Sequence, residues 1–405
     1  LVYPINKVVR YMLQTGDQFL VKKINKSIVL ETIKKNGPIS RAQISEVTGL
    51  NKSTVSSLVN ELIQEEFAYE IGLGQSKGGR RPLMLLFNTT AGHAIGVDIG
   101  VNYLLAVLTD LQGNIVQETM LTIANLSFEN IVDLLKQTIQ ALIDQAPPSK
   151  YGIVGIGIAV PGIVDEHGQI LFAPNLGWEN VDVKSIIQGH FHLPVTINNE
   201  AKAGAMGEKI FGVGKGIAHS VYVSLGIGIG TGIIINNELY KGCNGFAGEM
   251  GHIPIEPNGK KCRCGNRGCW ELYASENALL EQAKALAIPP APNEPEITLA
   301  HLVTLADEGH HEVINLFNQV GEYIGLGLTT IINTFNPELI VIGNRMTSAE
   351  KWLINPITRV VENRSLAYSR KQLRIQFSGL NMHSAVFGTV SFAIDDFFAN
   401  TRISL

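Results

Sequence analysis

The stretch AIGVDIGVNYLLAVLTDLQGNIVQE (94–118) reads as three strands, with turns at Gly100-Val101 and Gln112-Gly113. A helical segment follows, SFENIVDLLKQTIQALIDQ (127–145), and then YGIVGIGIAVPG (151–162), a buried strand running into a loop. The theme returns in SVYVSLGIGIGTGIIINNELYKG (220–242), a second Gly-rich hairpin placed after a helix. Two α/β lobes that each open on such a hairpin predict a duplicated architecture with a cleft between them. Clefts between lobes are where small ligands bind.

Upstream, the texture differs. NKSIVLETIKKNGPISRAQISEVTGLNKSTVSSLVNELIQEEFAYEIG (25–72) predicts three helices. Gly37-Pro38 ends the first, and Ser40 with Gln43 forms a capping box for the second, with Ile39 and Ile44 as its hydrophobic staple. Gly49 closes the second helix and Asn51 caps the third. Val55, Leu58, Val59, Leu62 and Ile63 fall on one face of that third helix. Its other face, near the start, carries Asn51, Lys52, Ser53, Thr54, Ser56 and Ser57, short polar groups able to reach base edges and phosphates in a major groove. A hairpin then runs out over Phe67–Ile71 and back over Leu83–Phe87, with Lys77, Arg80 and Arg81 at a basic tip suited to backbone or a narrow minor groove. The expectation is a winged helix-turn-helix that binds DNA.

Charge agrees with that division. Residues 21–81 hold ten Lys and Arg against six Asp and Glu, whereas from Pro82 onward there are twenty against twenty-nine. Only the first part is therefore expected to meet a polyanion. The chain has 405 residues, of which 45% are hydrophobic and 17% charged, which suits two to three globular units. No signal peptide is legible. The longest apolar run, GIVGIGIAVPGIV (152–164), is too short to span a bilayer and is broken by Pro161, so a soluble, cytoplasmic protein without a membrane partner is expected. Residues 1–16, with Met12 inside them, are assigned no structure.

Three of the four cysteines crowd into GEMGHIPIEPNGKKCRCGNRGCWE (248–271). With His252, the thiols of Cys262, Cys264 and Cys269 have the ligand types and number of a closed tetrahedral zinc site. Nucleic-acid fingers usually separate two close ligand pairs by a dozen or more residues, and here nine lie between His252 and Cys262. No Cys-x-x-Cys spacing supports a redox role. Cys243 lies outside the set and is expected simply to pack.

These motifs resemble those of the ROK family (repressors, open reading frames and kinases). The resemblance runs from Gly92 to the C-terminus through DIG at Asp98, VPGIVDEHGQILFAPNLGW, INNEAKAGAMGE, the cysteine block and NTFNPELIVIGN. The N-terminal part, with its GQSKGGRRP wing, is similar to the family's repressor branch. The resemblance implies an α/β body with the two-lobed, actin-like fold of sugar kinases and ribonuclease H, zinc in the second lobe, and a homo-oligomer (dimer or tetramer). It implies a winged head over 17–88, a first lobe over 89–198 joined by a C-terminal helix at 382–405, and a second lobe over 199–381. It also implies that Glu249 and Glu271 hold sugar hydroxyls, that His252 serves both zinc and sugar, and that Asn175 and Asn199 join them; Glu200, beside Asn199, can bind a further hydroxyl. A palindromic operator and a sugar effector, D-xylose, are the partners it implies.

The kinase branch fits less well. Glu200 stands where kinases carry Asp, and its extra methylene displaces a catalytic base. Val101 and Asn102 replace the Gly-Thr of the first phosphate loop, Ile227 replaces a Thr in the second, and Asn344-Arg345 replaces a run of glycines. Side chains then stand where backbone must approach a phosphate. The expectation is a sensor and not an enzyme, the alternative being a glucokinase-like ROK sugar kinase with an added DNA-binding head.

Overall fold

The computed structural model describes residues 18–73, 82–124, 126–292 and 294–400. Lys77, Arg80 and Arg81 lie outside these residues, as do residues 1–17. Among the described residues no helix is long and apolar enough to cross a membrane.

The chain begins with helix α1 (Gln18–Asn36), a short strand β1 (Ile39–Ser40), and helices α2 (Arg41–Thr48) and α3 (Lys52–Gln64). Strands β2 (Ala68–Leu73) and β3 (Leu83–Phe87) complete a three-stranded sheet of order β1-β3-β2. The local signals in the sequence act as expected. Ser40 and Gln43 form the reciprocal capping box of α2, and Gly49 ends that helix at φ 72°, a conformation in which a Cβ would be strained. Asn51 caps α3 through its side-chain oxygen, and Val55, Leu58, Val59 and Leu62 are buried along one stripe. This is a winged helix-turn-helix.

The first lobe follows. Its strands β4 (His93–Ile99), β5 (Tyr103–Asp110) and β6 (Ile115–Thr122) form a meander, and helix α4 (Phe128–Gln145) leads to β7 (Ile153–Val160). A small sheet of β8 (Ile163–Val164), β9 (Ile170–Ala173) and β10 (Trp178–Val181) precedes α5 (Val183–Phe191) and β11 (Val195–Asn199). The main sheet has the order β11-β7-β4-β5-β6. Strands β4 and β5 are buried at every position, whereas β6 is an exposed edge. That is why the former read as near-continuous apolar runs and the latter does not.

Helix α6 (Glu200–Ile210) leads into the second lobe, whose strands are β12 (Ser220–Leu225), β13 (Ile229–Ile235) and β14 (Glu238–Leu239). Helices α7 (Glu271–Ala274), α8 (Glu276–Ala285), α9 (Leu299–Asp307) and α10 (His311–Phe335) precede β15 (Leu339–Gly343), α11 (Glu350–Arg364), β16 (Arg374–Phe377) and α12 (His383–Asn400). Read from its opposite edge, this second sheet, β14-β13-β12-β15-β16, repeats the first strand for strand: three antiparallel strands, then two parallel ones. The duplication expected from the two Gly-rich hairpins is therefore present.

Helix α12 returns to the first half of the chain. Val386, Val390, Ala393, Ile394 and Phe398 share one buried cluster with Phe67 and Leu85 of the head and with Leu105 and Val107 of β5. Head and first lobe thus have a continuous core. The second lobe has its own, built around α10 and including Trp270.

Candidate functional site

The cysteine block folds as a tight loop pinned at both ends. Trp270 is fully buried, and its indole N–H donates to the Tyr323 carbonyl at 2.8 Å, anchoring the end of the block in the second-lobe core. A turn between Cys262 and Asn266 closes through Cys262 N–H to Asn266 O at 2.8 Å and Gly265 N–H to Cys262 O at 3.1 Å. An isolated bridge between Pro254 and Cys269 holds the far strand of the loop against the segment after His252.

This brings His252, Cys262, Cys264 and Cys269 together, with one donor atom from each lying within 4.8 Å of all the others. Cys264 Sγ is 3.7 Å from Cys269 Sγ, and Cys262 Sγ is 3.7 Å from His252 Nδ1. Zinc–sulfur bonds of about 2.3 Å place tetrahedral ligand sulfurs roughly 3.8 Å apart, so the donor set fits a tetrahedral ion. All four cysteines are free. Burial, with the crowding of the other thiols, pushes the Cys269 thiol up, and burial does the same to Cys262. A bound cation reverses that cost, because a coordinating thiol is deprotonated by the metal. Cys243, expected to pack, is instead exposed; the loop that carries it offers no core position.

A cavity of about 350 Å³ lies between the lobes beside this cluster. Asn175, Asn199, Glu200, Glu249, His252 and Glu271, the six residues expected at a sugar site, all line it. Glu271 faces two ways. Its Oε1 accepts from the Cys262 thiol at 3.2 Å and lies 3.4 Å from His252 Nδ1. Its Oε2 lies on the Gly228 side, where a Cβ added to that glycine would come within 3.0 Å of it. The metal cluster and the cavity thus share a carboxylate. Burial raises the pKa of Glu249, while the Lys202 ammonium works against that shift. Asn199 caps α6 through Oδ1 and donates from Nδ2 to Gly162 O at 2.9 Å.

Two contributors lie inside the quoted motifs, Lys202 in INNEAKAGAMGE and Arg263 in the cysteine block, but were not expected at the site. Lys202, one turn into α6 from Asn199, is buried and donates to the Gly245 carbonyl of the loop that carries Glu249. Its spacing of three residues from Asn199 on a helix was the available signal. Arg263 stands between two of the cysteines and donates to Asn175 Oδ1 at 3.2 Å, across the cleft.

The glycine loops form another wall of the same cavity, through Gly100, Val101, Gly226, Ile227, Asn344 and Arg345, and side chains of the chain itself tie that wall together. Gly100 packs against the Tyr103 ring, and Tyr103 donates its hydroxyl to Asp98 Oδ2 at 2.7 Å. Glu200 Oε1 accepts from Ser224 Oγ at 2.9 Å and from Asn344 Nδ2 at 2.6 Å. Asn344 has φ 68° and ψ −158°, a region that is essentially glycine's and costs a side-chain-bearing residue about 1–3 kcal/mol.

In the head, Asn51, Lys52, Ser53 and Ser57 are exposed, and Thr54 and Ser56 are half-buried. Asn51 Oδ1 is already engaged, accepting from Thr54 N–H at 2.8 Å and from Ser53 Oγ at 2.7 Å. Its carboxamide nitrogen is the group left for a partner.

The duplicated lobes, the histidine–cysteine cluster and the winged head define a ROK-type protein with a DNA-binding module. The ROK family pattern matches residues 94–396, a winged helix-turn-helix DNA-binding pattern matches residues 25–67, and the chain belongs to the ROK family. It is 45% identical over 382 residues to the xylose repressor of Bacillus subtilis (strain 168), covering 94% of this chain and 98% of that protein. It is 41% identical over 393 residues to the xylose repressor of Caldicellulosiruptor bescii, covering 94% and 98% respectively. Among solved structures, a ROK family transcriptional regulator, a homologue of the E. coli Mlc protein, superposes with a TM-score of 0.79 at 28% identity over 95% of this chain and 99% of its own. A ROK family glucokinase from Streptomyces griseus, in complex with glucose and AMPPNP, reaches 0.68 at 28% identity but covers 74% of this chain and 99% of its own.

Proposed function

We propose that this chain is a cytoplasmic, sugar-responsive transcriptional repressor, that it controls xylose-utilisation genes, and that D-xylose releases it from its operator. The observation that carries the reading is the convergence of six polar side chains on one interlobe cavity, in a chain that also bears a winged head. Carboxylates suit a sugar because each accepts from two vicinal hydroxyls. Glu249 and Glu271 supply such acceptors from the second lobe, and Asn175 offers a carboxamide from the first, so a sugar held by both favours closure. The identity to proteins named xylose repressors supports the pentose.

Zinc is the ion that best fits one imidazole and three thiolates. His252, Cys262, Cys264 and Cys269 would hold it, and when bound it would cross-link the loop and favour the thiolates. The Glu271 carboxylate, relieved of the Cys262 proton, would then be open to sugar hydroxyls.

Two winged heads of a homo-oligomer, a dimer or tetramer, would present the α3 helices to the half-sites of a palindromic operator. Closure of the lobes alters the spacing of the heads. A coupling of about 1–3 kcal/mol lowers operator affinity several-fold to a hundredfold. Sugar phosphorylation is disfavoured by the side chains at Val101, Asn102, Ile227, Asn344 and Arg345 where phosphate loops need glycine or threonine, and Glu200 Oε1 is already engaged by Ser224 and Asn344.

Fluorescence anisotropy of duplex from upstream of the chain's own operon, at fixed salt, tests the reading. Release by D-xylose at concentrations where D-glucose fails is the expected result; binding that no sugar disturbs would discard the effector. Glu271→Ala and Glu249→Ala should hold the operator and ignore sugar. Metal analysis should find one zinc per chain, depleted in Cys264→Ser.

A further inference from the structure

Four of the residues that separate this chain from the kinase pattern are bonded into one network. Asn102 Oδ1 accepts from Arg345 Nη1 at 3.0 Å, joining the turn after β4 in the first lobe to the segment after β15 in the second. The Arg345 N–H donates to Asn344 Oδ1 at 2.7 Å, and Asn344 Nδ2 donates to Glu200 in the cavity wall.

The network has a rigid base. Arg345 Nε forms an ion pair at 2.7 Å with Glu276, whose side chain is 3% exposed. The Glu276 backbone N–H donates to the Gly226 carbonyl at 2.9 Å, fixing the glycine loop of the second lobe to the same residue. Asn344 is held in its glycine-like backbone conformation by its bonds to Glu200, Ser224 and the Arg345 N–H. Strain maintained by surrounding contacts marks a place where geometry serves function. It aims Arg345 so that two arms of its guanidinium serve different lobes, which the single ammonium of a lysine cannot match.

We propose that Arg345 is an interlobe latch. It bridges the two halves of the cleft at the glycine loops, where a kinase of this fold would use its nucleotide, so that a sugar alone suffices to close the lobes. This rests on the reading of the cleft as a sugar-sensing site. The latch biases the protein toward the closed state, and a sugar that prefers that state then binds more tightly.

The cleanest variant is Asn102→Ala, which removes the cross-lobe bond and leaves the Arg345–Glu276 pair in place. Arg345→Lys keeps a cation beside Glu276 but not the second arm. In the full-length protein, each should weaken D-xylose binding in calorimetry by about three- to tenfold. Operator affinity without sugar should be unchanged or tighter. The double variant should show no further loss, since both changes break one bond. Hydrogen exchange without sugar should rise in residues 100–104 and 343–349 in both variants. Unchanged sugar affinity with unchanged exchange overturns the latch. Should D-xylose fail to bind the unaltered chain, the function reading fails instead, and the exchange measurement alone still decides the latch.

Discussion

Asp98 sits at the centre of the first sheet with no exposed surface, and among the described residues one of its oxygens, Oδ1, has no hydrogen-bond partner. Burial first, and then the Glu200 carboxylate, drive its pKa well up, while the Tyr103 hydroxyl opposes them; Glu200 is itself raised by burial. The charged and titratable groups facing the pair are Tyr103 and Tyr222, and neither is a cation. A carboxyl whose pKa is raised on folding keeps its proton longer in the folded state. Stability therefore falls as pH rises from the ordinary carboxylate range through the raised value, then stays low. Asp98→Asn removes that cost while leaving an oxygen for Tyr103. Urea unfolding should show the variant more stable than the parent at about pH 7.5, with the difference vanishing near about pH 4. A difference independent of pH would mean that Asp98 is comfortably ionised. The sequence marked Asp98 only as part of a motif. Its partner Glu200 lies about a hundred residues away, and pairings of that range follow from topology, not from local pattern.

At the scale of elements, local signals were legible where they are self-contained. The capping box of α2, the αL glycine after it and the apolar stripe of α3 each depend on residues of one short helix and its caps, with successive members no more than four positions apart. The cysteine block was legible because its ligand types crowd into one continuous stretch, 248–271, even though His252 lies ten positions from Cys262. Lys202, Arg263 and the Arg345 latch were not, because each acts on a loop or lobe remote in sequence. The capping box makes a direct prediction. Ser40 Oγ accepts from the Gln43 N–H at 3.3 Å, and the Ser40 N–H donates to Gln43 Oε1 at 3.0 Å. Ser40→Ala should cost the head about 1 kcal/mol, and it should loosen the angle at which α2 supports α3. Chemical unfolding measures the first effect and operator anisotropy the second. A variant with unchanged midpoint would mean that solvent replaces the cap without loss.

For the whole molecule, the question is how a sugar between the lobes is felt by the head. Helix α6 starts at the cavity with Glu200 and crosses α12 so closely that a Cβ on Gly207 or Gly388 would strike the backbone of the other helix. Buried Glu208 fastens the crossing by accepting from Ser378 and, at 2.7 Å, from Ser384 at the start of α12. The far end of α12 lies under the head. Phe398 packs against Phe67 with ring centres 5.5 Å apart, Phe67 stacks on Tyr151 of the first lobe at 4.8 Å, and the Lys34 ammonium lies 5.0 Å from the Phe398 ring centre. Two crossed helices, α6 at the cavity and α12 under the head, thus connect the two sites, and in the proposed mechanism movement of the cleft would reach the head along them without any change in the head's own fold. Phe398→Ala removes a buried ring at that joint, a loss of about 3–5 kcal/mol by analogy with other core aromatics. Because head and first lobe share one core, the parent should unfold them in a single calorimetric transition. In the variant the head should separate into an earlier transition. The variant should bind sugar as tightly as the parent and yet release the operator poorly. Normal release from a head that melts on its own would show that the signal travels by another route, through the oligomer rather than along α12.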